Sequence, residues 1–180
     1  HRVDRRQRQM CIRDSLIAAR ADQTEGRFIA ALAGPPAAGK STLAAELAAL
    51  LGAGAKVVPM DGFHYDDAVL IARGARDRKG APDTFDAQGF FHLLRRLKVE
   101  DEVAIPLFDR ALEISRAGAD IVGPADKILI VEGNYLLLNE SPWPSALPLY
   151  DLTIWIDVAE ADLIARLMSR NASLWFGRFR

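Results

Sequence analysis

Arg27-Phe-Ile-Ala-Ala-Leu-Ala33, followed by Gly34-Pro-Pro-Ala-Ala-Gly39-Lys40-Ser41 and then Thr42-Leu-Ala-Ala-Glu-Leu-Ala-Ala-Leu-Leu51, is the stretch that decides the fold. The first run is apolar and of strand length, as expected of a strand buried on both faces. From Lys40 to Leu51 the spacing of Leu43, Leu47, Leu50 and Leu51 predicts a helix, which Gly52 and Gly54 end. Between them lies G-x-x-x-x-G-K-[ST] in full, in the strand-loop-helix context that a phosphate-binding loop requires. Chance matches of this pattern occur in about one chain in a hundred of this length, and the flanking strand and helix make a plain Gly/Pro turn the poorer reading. The glycines admit positive φ and clear space for backbone N–H groups to turn onto phosphate oxygens. Gly34, Pro35, Ala37, Ala38, Gly39, Lys40, Ser41 and Thr42 are therefore the candidate nucleotide-binding residues. Lys40, expected to touch only ligand, can bridge the terminal phosphates, and the Ser41 hydroxyl can ligate Mg²⁺.

Outward from this loop the chain reads as one α/β domain over residues 16–180, alternating short apolar runs with helical patterns. Leu16 to Ala21 is a short helix, and Lys56-Val-Val-Pro-Met60 is a second strand. Asp86 caps a helix from Ala87 to about Lys98 whose Phe90, Leu93, Leu94 and Leu97 share a face, with His92 off that stripe and solvated. Lys127-Ile-Leu-Ile-Val131 and Leu152-Thr-Ile-Trp-Ile156 are further strands, and Ala159 to Arg170 is a helix carrying Leu163, Ile164 and Leu167.

Composition narrows the function classes. Lys plus Arg number 23 against 24 Asp plus Glu, a net charge of −1 that provides no field for nucleic acid or an anionic membrane. No apolar run approaches the length that spans a bilayer. The single cysteine, Cys11, excludes an internal disulfide and suits the cytoplasm. His1 to Ser15 has five arginines and no apolar period, and its Met10-Cys-Ile-Arg-Asp-Ser15 is similar to a translated sequencing adaptor, so residues 1–15 are set aside as a non-native leader.

Two further elements bring acidic groups to the same edge of the sheet. Ile128-Leu-Ile-Val131 ends in Glu132-Gly133, a strand with a terminal carboxylate where Mg²⁺ would lie, so Ser41 and Glu132 form the candidate metal pair, with Glu132, a glutamate in place of the usual aspartate, expected to act through a water of the metal shell rather than by direct ligation. Met60-Asp-Gly-Phe-His-Tyr65 follows the second strand, and Asp61 can accept the proton of an attacking hydroxyl.

With these elements in hand, the chain resembles the uridine kinase, phosphoribulokinase and pantothenate kinase group of P-loop kinases from about Arg27 to Arg170. Asp61-Gly-Phe-His64, Arg78-Lys-Gly-Ala-Pro-Asp-Thr-Phe-Asp86, Pro106-Leu-Phe-Asp-Arg110 and Val131-Glu-Gly-Asn-Tyr-Leu136 resemble most the bacterial branch named for nucleoside triphosphate hydrolase or fructose-transport-system kinase. The resemblance implies a three-layer α/β/α P-loop NTPase fold with a mostly parallel sheet in strand order 2-3-1-4. It also implies transfer of the γ-phosphoryl of ATP, with Mg²⁺, to a small-molecule hydroxyl. Catalytic roles then fall to Asp61, Lys40, Arg166 and Arg170, the two arginines lying one turn apart on the last helix.

Departures from the pattern bear on the acceptor. Gly80, Ala81 and Pro82 stand where uridine kinases carry an Asp-His-Pro that binds ribose, and Phe108 and Glu113 stand where their tyrosine and histidine meet the base. His64, Lys79 and Arg110 remain as candidate acceptor contacts, the two cations suiting an anionic or polyhydroxylated molecule. A solvated loop is the default reading of Arg73, Arg76, Arg78 and Lys79. Asn171 to Arg180 does not follow the family pattern, from which we expect a truncated or frame-shifted end, a missing fifth strand, and association of the open sheet edge into homodimers or larger species. A nucleotide-dependent regulatory switch and a catalytically inactive fragment are the alternatives to a kinase.

Overall fold

The computed structural model describes the backbone of residues 15–177 and the side chains of residues 15–169. Cys11 and almost all of the proposed leader fall outside the described residues, as do the Arg170 side chain and the aromatic tail side chains. The main sheet is formed by β1 (Phe28–Ala33), β2 (Ala55–Pro59), β5 (Ile128–Gly133) and β6 (Leu152–Trp155), all parallel, in the order β2-β5-β1-β6. The four strands expected in the order 2-3-1-4 are numbered 2-5-1-6 here, because two further strands come before β5 in the chain. β3 (Val103–Asp109) and β4 (Ile114–Val122) precede β5 in the chain and pair antiparallel in a separate hairpin. The sequence reading missed both, and Pro106 explains why. It interrupts the alternation of Val103, Ile105 and Leu107, and the pairing register shifts there, between Ile105 and Leu107.

Side-chain alternation along β1 builds the three layers. Phe28, Ala30 and Leu32 face one apolar cluster, with Ile17 of α1 (residues 15–21), Ala44 and Leu47 of α2 (Lys40–Leu51), and Leu163 of α5 (Glu160–Gly177). Ile29, Ala31 and Ala33 face the other, with Phe90, Phe91, Leu93, Leu94 and Leu97 of α4 (Ala87–Val99), Val103 and Ile105 of the hairpin, and Trp143. Each large α4 side chain so buried contributes about 1.5–3 kcal/mol, and this seam holds the hairpin side of the molecule to the sheet. Asp86 caps α4 as expected, its carboxylate accepting the Gly89 N–H at 2.9 Å. His92 is exposed. Two apolar expectations are corrected: Leu50 is 57 % and Ile164 49 % exposed, because spacing alone does not say how wide a helix face its neighbours cover.

Arg27 ties the layers together at the opposite end of the sheet from the phosphate loop. It is 6 % exposed and donates to the carbonyls of Leu97, Glu100, Asp101, Gly123 and Asp126. A cation among the last carbonyls of α4 also opposes the negative end of that helix. No described helix is long and apolar enough to cross a membrane.

Candidate functional site

Parallel register brings the functional segments to one edge. Ala33 is level with Gly133, Leu32 with Glu132, and Pro59 with Glu132, so the phosphate loop, the Glu132 turn and the Asp61 turn all leave the sheet at the carboxyl ends of adjacent strands. That edge is where ligands of open α/β sheets bind.

The loop itself is held in an unusual backbone state. Gly39 has φ 88° and Ala37 has φ 63°, a conformation that costs a non-glycine residue about 1–2 kcal/mol and persists only where the surroundings impose it. Gly34 is closely packed, for a Cβ there would lie 3.1 Å from both the Cβ and the carbonyl oxygen of Ile156. No side chain caps α2, so the first N–H groups of that helix, from Lys40, Ser41 and Thr42, are offered to an anion together with the positive end of the helix. Arg166 of α5 reaches the loop and donates to the Ala37 carbonyl at 3.3 Å.

Lys40 differs from expectation. It is 7 % exposed and its Nζ is bound to Gly34 O at 3.0 Å, Pro35 O at 2.9 Å and Asn134 Oδ1 at 2.5 Å, so it contacts protein as well as any ligand. Asn134 escaped the sequence reading as a site residue. It was visible only as part of Val131-Glu-Gly-Asn-Tyr-Leu136, and no general rule assigns a chemical role to one amide after a strand.

Ser41 Oγ donates to Glu132 Oε1 at 3.0 Å, and Glu132 is 6 % exposed. Burial raises the Glu132 carboxyl above its ordinary range and the charge of Asp61 pushes the same way, against the Ser41 hydrogen bond and the charges of Lys40 and Arg110. Adjacent oxygens in an octahedral Mg²⁺ shell stand about 2.9 Å apart, given bonds of about 2.0–2.1 Å, so the pair fits that ion. Among the described residues no group of three or more His, Cys, Asp or Glu gathers into a metal cluster. Mg²⁺ does not need one, since it uses one or two protein oxygens and takes the rest from phosphate and water.

Asp61 sits in the 3-10 turn Met60–Phe63, and its Oδ2 accepts from Arg110 Nη2 at 2.7 Å. Ser41, Val57, Pro59, Asp61, Leu107, Phe108, Arg110 and Glu132 line one cleft of about 280 Å³. The hairpin therefore supplies one wall, and the missing side chain of Gly62 lets it approach: a Cβ there would lie 2.4 Å from Pro106 O. A second depression, of about 360 Å³, lies against Ala21, Gly26 and Lys127 at the amino ends of β1 and β5, away from this chemistry.

Not every candidate acceptor contact faces the cleft. The His64 ring packs 4.0 Å from Phe85 and 4.9 Å from Phe108, centroid to centroid, and is not part of the lining. Its Nδ1 is buried without a partner among the described residues, and burial lowers its pKa. Lys79 is bound to Asp67 Oδ1 at 2.6 Å and to Glu113 O at 2.8 Å, with its ammonium 5.4 Å from the Phe108 ring centroid. The other cations of the basic loop also have partners: Arg76 shares Asp67, Arg78 pairs with Asp83, and Arg73 lies over the Tyr65 ring. Tyr135, three residues past Glu132, donates to Gly80 O at 2.5 Å and so connects this loop to the Glu132 turn.

Comparison with known proteins gives the arrangement a context. No family model matches the chain. A protein of Schizosaccharomyces pombe named "putative uridine kinase" is 40% identical over 156 residues, which are 81% of this chain and 66% of the relative. A pantothenate kinase of Listeria monocytogenes is 33% identical over 151 residues, 78% of this chain and 48% of its own. The chain thus spans about two thirds of the first relative's length and about half of the second's. The crystal structure of a "putative fructose transport system kinase" from Silicibacter superposes with a TM-score of 0.83 at 45% identity, covering 89% of this chain and 81% of that one.

Proposed function

Because the chain belongs to the P-loop kinases of the uridine kinase and pantothenate kinase group, we propose that it transfers the γ-phosphoryl group of ATP, with Mg²⁺, to a hydroxyl of a sugar, a nucleoside or a pantothenate-like alcohol. The observation that carries this reading is the single cleft in which Ser41 and Glu132, bonded to each other at 3.0 Å, share walls with Asp61. A metal pair and a proton acceptor at one carboxyl edge, beside a phosphate loop, are what in-line phosphoryl transfer requires.

The roles follow from the chemistry of each group. The N–H groups of the loop and of the start of α2 hold phosphate oxygens, and Lys40 and Arg166 offset their charge. Ser41 and Glu132 hold the metal, which when bound neutralises charge on the transferring phosphate. Asp61 orients the acceptor hydroxyl and takes its proton. Its pairing with Arg110 is no obstacle: the Arg110 side chain is 60 % exposed and can turn to solvent as a hydroxyl takes its place beside the half-buried Asp61 carboxylate. Val57, Leu107 and Phe108 give the cleft an apolar side beside the acceptor face.

The test is release of ADP from ATP and Mg²⁺ across a panel of sugars, nucleosides and pantothenate-like alcohols. Stimulation by one class of acceptor supports the reading. Release at the same rate with no acceptor would instead make the protein a nucleotide hydrolase or switch.

A further inference from the structure

The Lys40 ammonium has three protons, and among the described residues it donates to three acceptors: the carbonyls of Gly34 and Pro35 and the amide oxygen of Asn134. A phosphate oxygen can therefore bond Nζ only when one of these is released. The two carbonyls belong to the backbone of the loop, whose shape Ala37 and Gly39 fix by their positive φ. Asn134 belongs to another segment, the turn after β5, and its side chain is only partly buried. It is the partner that can yield, since rotation about its own side-chain bonds moves the amide without moving the loop. An ammonium can only donate, so it is the amide oxygen of Asn134 that faces Lys40.

We propose that Asn134 is a positioning residue that keeps Lys40 docked inside the phosphate loop until phosphate displaces its amide. This rests on the reading of the loop as a nucleotide site. The docking prevents the lysine from swinging into solvent, and it opposes phosphate binding by the strength of one charge-assisted hydrogen bond. Removal of Asn134 therefore tightens phosphate binding, whereas loss of a merely structural residue would weaken it or leave it unchanged.

The experiment compares the wild type with Asn134→Ala and Asn134→Asp in two ways. Affinities for inorganic tripolyphosphate, ADP and adenosine are measured by titration calorimetry, and the rate at which a small acylating reagent labels Lys40 is read by mass spectrometry. Asn134→Ala is expected to bind tripolyphosphate and ADP about five- to tenfold more tightly, less than a fully buried charged bond would give because water replaces the amide. Its adenosine affinity stays the same and Lys40 labels several-fold faster. Asn134→Asp, which retains the oxygen, keeps Lys40 protected and binds phosphate more weakly. Unchanged labelling together with unchanged or weakened phosphate affinity in Asn134→Ala overturns the proposal while leaving the nucleotide site intact. Faster labelling in a protein that binds no phosphate ligand supports the docking and overturns the nucleotide reading instead.

Discussion

Gly62→Ala separates the two halves of the cleft with a single methyl group. The backbone of Gly62 is outside the left-handed region, so alanine brings no conformational penalty, but its Cβ would stand 2.4 Å from Pro106 O and 2.7 Å from Pro106 C. Both are backbone atoms of β3, so no side chain can rotate away and the hairpin must retreat by about 1 Å to reach ordinary contact distance. Overpacking of this kind costs about 1–3 kcal/mol. For a domain of this size that is a fall of about 2–12 °C in melting temperature. The retreat carries Phe108 and Arg110 away from Asp61, and a misplacement of about 1 Å in a catalytic cleft can lower turnover by about 10²-fold. The phosphate loop leaves β1 and enters α2 rather than standing on β3, so ATP affinity is expected to stay within a few-fold. Gly54→Ala is the control, since its Cβ would lie an ordinary 3.8 Å from the nearest atom, Ala125 O. The assays are thermal unfolding, nucleotide titration and acceptor-dependent ADP release on all three proteins. A Gly62→Ala protein as stable and as active as the control would refute the assignment of the hairpin as a wall of the site.

Lys40→Ala is expected to abolish measurable ATP binding while the fold survives, with a small loss of stability because the ammonium also bridges Gly34 O and Pro35 O; unchanged affinity in a titration would contradict the loop assignment. Arg27→Ala strands several carbonyls at the end of α4 and should cost about 3 kcal/mol or more in urea unfolding, and a loss under about 0.5 kcal/mol would show that water replaces the guanidinium fully. Burial lowers the His64 pKa, with Asp61 and Glu113 opposing and Lys79 and Arg110 assisting, so the unfolded chain binds the proton more readily. Stability from this group is therefore present above the unfolded value of 6.5 and lost as pH falls through the folded one, and the drop in urea midpoint from pH 7.5 to 5 should shrink in His64→Leu.

What could be read in the sequence followed from local chemistry. The eight residues from Gly34 to Ser41 state the loop and its flanks, and Glu132 is marked by the apolar run that it ends. Asp61 is marked by its place after a strand. The hairpin was hidden by Pro106, which breaks the period of two in β3 where the strand bends over the Asp61 turn. Lys79 seemed available to an acceptor because its partners, Asp67 and the Glu113 carbonyl, are distant in sequence and arrive only through the tertiary fold. Asn134 was unreadable for a similar reason, since its meaning lies in a contact with Lys40 across 94 residues of chain. His64 shows the reverse: a loop histidine beside a candidate base invites a chemical role, while Phe85 and Phe108 enclose it as a packed ring.

In the proposed reaction Asp61 receives the acceptor proton in a cleft where Ser41 and Glu132 would hold the metal. Asp61→Asn separates the two roles when the acceptor-dependent rate of ADP release and the ATP dissociation constant are measured on the same preparation. The expected result is a loss of about 10²-fold or more in the rate, as for removal of a general base, with ATP affinity held within a few-fold. Equal losses of rate and affinity, or an unchanged rate, would contradict it.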